Sequence, residues 1–293
     1  VSLPMEPTSR HVTGADGNDI HVLEWSQEGV PLVLVHGFGN DAHIWDEFAP
    51  LVAPHYRVIA MDLRGHGDSA HDPERRYQWN DHVRDLESVT EALGIDRLVL
   101  VGHSLGGRTS LLFAGRNTER MAGLVVVDTG PEHDPRGQIR IRQEVEGRTV
   151  TGDGSLASIE EYEAVLAHNY PAAQPAAIKR MARSELKQRE DGRYVRKADP
   201  AFMSGVASVS AEEQEAYEEE TRKDLWHACE VVKCPTLVVR GAASDILSAE
   251  IADKMVDDVL ANGTLAVVGQ AAHSVMTDNP EEFNQAVSEF VLG

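Results

Sequence analysis

Six short apolar runs recur along the chain: Pro31 to Val35, Arg57 to Met61, Leu98 to Val101, Gly123 to Val127, Pro235 to Val239 and Thr264 to Val268. Amphipathic or polar stretches separate them. Strands that alternate with helical patterns predict βαβ units and a mostly parallel sheet, and the near-continuous Val, Leu and Ile content predicts helices over both sheet faces. Ile20 to Trp25 alternates more, as an edge hairpin would. Between Trp79 and Gly94, the residues Val83, Leu86, Val89 and Leu93 fall at helical spacing, and Gly94 supplies a stop.

From about Glu132 to Val231 this rhythm breaks. No long apolar strand appears, and helix-like segments such as Ile159 to Ala167 and Gln174 to Gln188 are separated by turns containing Gly and Pro. The expected organisation is therefore an α/β core of residues 1–131 and 232–293, with residues 132–231 inserted between core strands as a helical lid. Such an insertion would lie over the strand ends, where open α/β sheets bind ligands.

The 293 residues are 42% hydrophobic and 26% charged, as in a globular chain with room for one large core. A formal net charge of −21 argues against nucleic acid and anionic membrane surfaces as partners. The acidic runs Ala211 to Glu215 and Glu218 to Glu220 read as the solvated face of a helix. Cys229 and Cys234 are the only cysteines and are expected to be free thiols. With no signal-peptide pattern and no apolar stretch approaching 18 residues, the expectation is a cytoplasmic protein. Oligomeric state stays open, and no metal-ligand spacing or cofactor motif is evident.

The chemistry concentrates at Gly102-His103-Ser104-Leu105-Gly106, which follows an apolar strand and precedes the helix-like stretch Arg108 to Arg116. Strand, sharp turn and helix in that order form a nucleophile elbow, in which the two glycines allow close approach and expose the serine hydroxyl. No G-x-G-x-x-G or G-K-[ST] supports a phosphate loop instead. A serine nucleophile needs a histidine base and a carboxylate to orient it. Two loops after strands supply candidates, Gly241-Ala242-Ala243-Ser244-Asp245 and Gly269-Gln270-Ala271-Ala272-His273-Ser274. The order Ser104, Asp245, His273 suits such a triad.

From about Ile20 to its end the chain resembles the α/β-hydrolase fold superfamily, in its serine esterase-like branch with a helical lid. His36-Gly37-Phe38-Gly39 resembles the family's oxyanion loop, and Asp62-Leu63-Arg64-Gly65-His66-Gly67-Asp68-Ser69 resembles its turn after the next strand. The resemblance implies Ser104 as nucleophile, His273 as general base then acid, Asp245 as orienting acid, and the backbone N–H groups of Phe38 and Leu105 as oxyanion donors. Asp128 is the rival acid, because some members of the fold carry theirs after the corresponding strand; Asp128-Thr129-Gly130-Pro131 reads equally as a turn and helix cap. His36, Trp45, His103 and Asp128 are candidate pocket residues, with loop bracing for His36 and core packing for Trp45 as the plainer readings. Arg64 and His66 read as braces of their turn.

A serine at the elbow disfavours the dehalogenase and epoxide hydrolase branches, which place aspartate there. The reaction implied is hydrolysis of a carboxylic ester on a small molecule through an acyl-enzyme. The alternatives are carbon–carbon bond hydrolysis of oxo-dienoate type and lactone or N-acyl-amide hydrolysis. A ligand binder without turnover is disfavoured by the intact set of candidate residues.

Overall fold

The computed structural model describes residues 6–137, 139–140, 154–203 and 211–293. Its centre is an eight-stranded sheet. In chain order the strands are β1 (Thr8–Thr13), β2 (Asp19–Glu24), β3 (Val30–Val35), β4 (Tyr56–Met61), β5 (Leu98–His103), β6 (Met121–Val127), β9 (Thr236–Gly241) and β10 (Gly263–Val268). Across the sheet the order is β1-β2-β4-β3-β5-β6-β9-β10. From β4 to β10 every pairing is parallel, while β1 and β2 join antiparallel at one end.

All six expected core strands are present, each within two residues of its expected limits. The hairpin differs in place: Ile20 to Glu24 lies in β2, with Trp25 just past its end, one strand in from the edge, and the edge is β1, whose exposed, polar Thr8–Thr13 carries little apolar signal. Side chains alternate across the sheet, so successive residues serve opposite layers. Leu32, Leu34, Val99, Val101, Val125 and Val127 enter one core layer. Val33, Val35, Leu98, Leu100, Leu124 and Val126 enter the other. Both faces are dry, which is why these runs carry no polar alternation.

Helices α1 (Trp79–Ala92) and α2 (Leu105–Arg116) cover the second layer. The segment between β6 and β9 holds α3 (Ile159–Asn169), α4 (Pro175–Ser184) and α5 (Ala211–Val231), and α6 (Pro280–Leu292) closes the described chain. Gln174 to Gln188 is not one helix. α4 ends at Ser184, and Leu186–Gln188 forms β7, which pairs antiparallel with β8 (Tyr194–Arg196). The turn Arg189 to Arg193, with Gly192 at φ 82°, closes that hairpin. α3 and α4 pack Tyr162, Leu166, Ile178 and Met181 onto the first core layer beside Trp45 and Phe48. The acidic residues Glu212, Glu213, Glu215, Glu218 and Glu220 of α5 are exposed, as expected. Cys229 and Cys234 are free and buried, and burial pushes the Cys229 thiol up to about 12. Among the described residues no helix is long and apolar enough to cross a membrane.

Candidate active site

β5 ends at His103 and α2 begins at Leu105, so Ser104 alone joins strand to helix. Its backbone takes φ 53° and ψ −113°, a left-handed conformation that strains a residue with a Cβ. Neighbouring glycines make the turn possible. A Cβ on Gly106 would lie 2.3 Å from the Val35 carbonyl oxygen, and one on Gly102 would lie 2.4 Å from that of Gly106. The Ser104 N–H donates to Val127 O (3.1 Å) and the Gly106 N–H to His36 O (3.1 Å), lacing the ends of β3, β5 and β6 together.

His273 stands in the loop after β10. Its Nε2 is 2.9 Å from Ser104 Oγ, and its Nδ1 is 2.8 Å from Asp128 Oδ2. A carboxylate only accepts, so Nδ1 carries the proton and donates it to Asp128, which leaves Nε2 to accept from the serine hydroxyl. Asp128 itself is fully buried at the end of β6, with φ 49°. Its N–H donates to Val239 O (2.7 Å). Its Oδ1 accepts from the Gly241 N–H (2.9 Å) and its Oδ2 from the Ser244 hydroxyl (2.6 Å). Two adjacent strand ends therefore hold the carboxylate in place.

This corrects the expectation that Asp245 orients the histidine. The loop after β9 presents Ser244, not Asp245, to Asp128, and the side chain of the next residue turns away. Asp245 instead accepts a forked pair from Arg140, Nε to Oδ2 at 2.6 Å and Nη2 to Oδ1 at 2.7 Å. That guanidinium holds the Asp245 carboxyl below the usual carboxylate range. Asp245 lines the cavity over Ser104, while the His273 Nδ1 position that fixes the tautomer is taken by Asp128.

The other candidates divide. His103 lines the cavity; its Nε2 donates to His273 O (2.9 Å), and burial holds it well below the usual histidine range, so it is neutral. His36 does not line the cavity. Its Nδ1 donates to Gly37 O (2.7 Å) and its Nε2 accepts from the Leu63 N–H (2.9 Å), which ties the loop after β3 to the loop after β4. Trp45 is fully buried core, 6.3 Å from the Phe283 ring centroid. Arg64 and His66 brace their turn, Arg64 through a buried fork onto Asp85 at 2.6 and 2.8 Å.

The loop Gly37-Phe38 passes close to Ser104, since a Cβ on Gly37 would lie 3.2 Å from Ser104 Cβ. The Leu105 N–H opens α2, where no intrahelical acceptor exists. Sequence reasoning missed one neighbour. Phe202, from the segment between β6 and β9, stacks on Phe38 with ring centroids 5.1 Å apart and meets His66 at 4.7 Å and Tyr77 at 4.8 Å. A lone aromatic outside any apolar run carries no signal of such a partner. The cavity beside Ser104 measures about 260 Å³ and is walled by residues 169–172 on one side and the loops after β9 and β10 on the other.

A parallel sheet that carries serine, histidine and carboxylate in one hydrogen-bonded line at its strand ends defines a hydrolytic enzyme. The chain belongs to the α/β-hydrolase fold family, whose model matches residues 30–280. It is 29% identical to a 2-(acetamidomethylene)succinate hydrolase of Mesorhizobium japonicum, over 89% of this chain and 88% of that protein. It is 27% identical to a 2-hydroxy-6-oxo-6-(2'-aminophenyl)hexa-2,4-dienoic acid hydrolase of Metapseudomonas resinovorans, over 94% of this chain and 89% of that protein. The crystal structure of an E-2-(acetamidomethylene)succinate hydrolase superposes with a TM-score of 0.81 at 27% identity, covering 98% of this chain and 100% of that one.

Proposed function

We propose that the protein hydrolyses a carboxylic ester of a small molecule through an acyl-enzyme, with Ser104 as nucleophile, His273 as general base and Asp128 as the acid that orients it. The observation that carries this reading is the unbroken line from Asp128 Oδ2 through His273 to Ser104 Oγ, at 2.8 and 2.9 Å, opening into a cavity. Ser104 Oγ attacks the ester carbonyl carbon while His273 Nε2 takes its proton. The Phe38 and Leu105 N–H groups, on the two loops that meet at Gly37 and Ser104, hold the oxyanion. His273 then gives the proton to the departing alkoxide, and a water activated by the same Nε2 cleaves the acyl-enzyme. Residues 132–231 are assigned as the lid; the described residues 169–172, which line the cavity, come from that segment and support the assignment.

Hydrolysis of p-nitrophenyl esters from acetate to palmitate, with Ser104→Ala alongside, tests the reading. A cavity of about 260 Å³ predicts an optimum at short acyl chains. Residual turnover above a hundredth in the folded Ser104→Ala protein would sink the nucleophile assignment. A relative named for a substrate with an acetamido group favours N-acyl-amide hydrolysis as a second reading, by the same residues. The relative named for a dienoic acid keeps carbon–carbon hydrolysis as a further alternative.

A further inference from the structure

Along β5 the side chains of Val99 and Val101 enter the first core layer, and His103 follows them on the same face. It is only 2% exposed. One ring nitrogen has a partner and the other has none. Nε2 lies 2.9 Å from His273 O, an atom that only accepts, so Nε2 carries the proton. The ring is neutral, held so chiefly by burial. Nδ1 is therefore a bare acceptor, and among the described residues nothing donates to it. Gly37 closes that side, because a Cβ there would lie 2.6 Å from Nδ1. The loop after β3 rests against the ring only because residue 37 is glycine.

A buried acceptor without a donor weakens a fold. An apolar side chain of similar size would fill the position without that loss, as Val99 and Val101 fill theirs in the same layer. Packing alone does not account for a histidine here. Its one satisfied atom does, since the Nε2–H bond ends on the main chain of His273, whose ring centroid is 4.8 Å from that of His103. Upstream, the same loop is tied by the Ala272 N–H donating to Asp278 Oδ2 (2.8 Å) and by Ala271 O accepting from the Ala243 N–H (2.9 Å). His103 adds a tie at the residue whose imidazole must reach from Asp128 Oδ2 to Ser104 Oγ.

Resting on the acyl-transfer reading above, we infer that His103 is a positioning residue: its Nε2–H anchors the main chain of His273, so that the imidazole keeps its place between Asp128 and Ser104. It acts through His273, its one hydrogen-bond partner. A misplacement of about 1 Å at a reacting group lowers the rate about a hundredfold, so the loss of this tie should lower kcat about ten- to a hundredfold.

Glutamine and methionine at position 103 separate this role from packing. The glutamine amide nitrogen stands nearly as far from Cβ as imidazole Nε2 and donates, whereas methionine has the same length and no donor. Two rates are measured, p-nitrophenyl butyrate hydrolysis and labelling of Ser104 by an alkyl fluorophosphonate. In the labelling, Oγ bonds to phosphorus, fluoride leaves and His273 takes the serine proton. His103→Met is expected to lower kcat and the limiting labelling rate about ten- to a hundredfold, with KM changed less than about threefold. It should melt no lower than His103→Gln, because it places no polar atom in the dry layer. His103→Gln should recover both rates to within about threefold of the unaltered protein. A merely structural role would make activity follow stability instead. His103→Leu replaces the methionine variant if that protein does not fold. No recovery with glutamine, equal rates in the glutamine and apolar variants, a loss confined to KM, or failure of both apolar variants to fold overturns the inference and leaves Ser104 as the nucleophile. If Ser104 is labelled but no ester is turned over, the ester reading fails and the labelling rates decide the role of His103 by the same criteria. If the unaltered protein shows neither, both readings fall.

Discussion

Replacing Asp128 by Asn keeps the shape of the residue and reverses the chemistry of one atom. The structure dictates which one. Asp128 Oδ1 accepts from the Gly241 N–H at 2.9 Å, so the amide of an asparagine must keep its oxygen there or face one N–H with another. Its NH₂ then takes the place of Oδ2, against His273 Nδ1 and the Ser244 hydroxyl. Ser244 can turn and accept. His273 must also accept at Nδ1, which moves its proton to Nε2 and leaves no base facing Ser104. The same substitution in a serine protease triad lowers kcat about 10⁴-fold, or about 5.5 kcal/mol in the barrier, and a comparable loss is expected here. Asp245→Asn removes a partly exposed partner of Arg140 and should change kcat less than about tenfold. Initial rates on p-nitrophenyl butyrate, with thermal unfolding to confirm the native state, measure both. A larger loss in Asp245→Asn, or more than a tenth of activity kept by folded Asp128→Asn, would refute this reasoning.

Two further outcomes follow from neighbouring groups. Phe202→Ala removes a half-buried ring with several aromatic contacts and should cost about 2 kcal/mol in urea unfolding. It should also lower kcat more than it changes KM, because Phe38 loses its stacking partner; an unchanged kcat would rule out coupling to the proposed oxyanion loop. Burial, together with the Asp62 and Glu185 carboxylates, pushes the Asp41 carboxyl up to about 8. The folded state therefore binds more protons than the unfolded state between about pH 4 and 8, and this group makes stability fall as pH rises through that window. Asp41→Asn should match the unaltered protein near pH 4 and exceed it by more than about 1 kcal/mol at pH 9; a gap that does not widen with pH would contradict the assignment.

Much of the architecture was legible in the residues. Runs such as Leu98 to Val101 could only be doubly covered strands, because alternate side chains enter two dry layers and neither tolerates polarity. The elbow at Ser104 was equally plain, since a left-handed turn between strand and helix needs the glycines that flank it. β1 was not legible, because an exposed edge strand of Thr, Ser, Arg and His has no apolar pattern to show. The break at Ser184 was hidden as well, since helical spacing continues toward Gln188 while the chain turns into a hairpin.

The carboxylate that meets His273 marks the boundary most clearly. By itself the sequence determined that an aspartate follows β6 and another lies in the loop after β9, both at the strand ends beside the histidine loop. Local spacing cannot choose between them, because the choice depends on a path through space. β6 and β9 are neighbours in the sheet, and the loop after β9 turns so that Gly241 N–H and Ser244 Oγ meet Asp128 while Asp245 faces Arg140. One residue of offset in that loop decides which carboxylate meets His273. Pairing and loop direction are set by contacts more than a hundred residues apart in the chain, and only the tertiary structure supplies them.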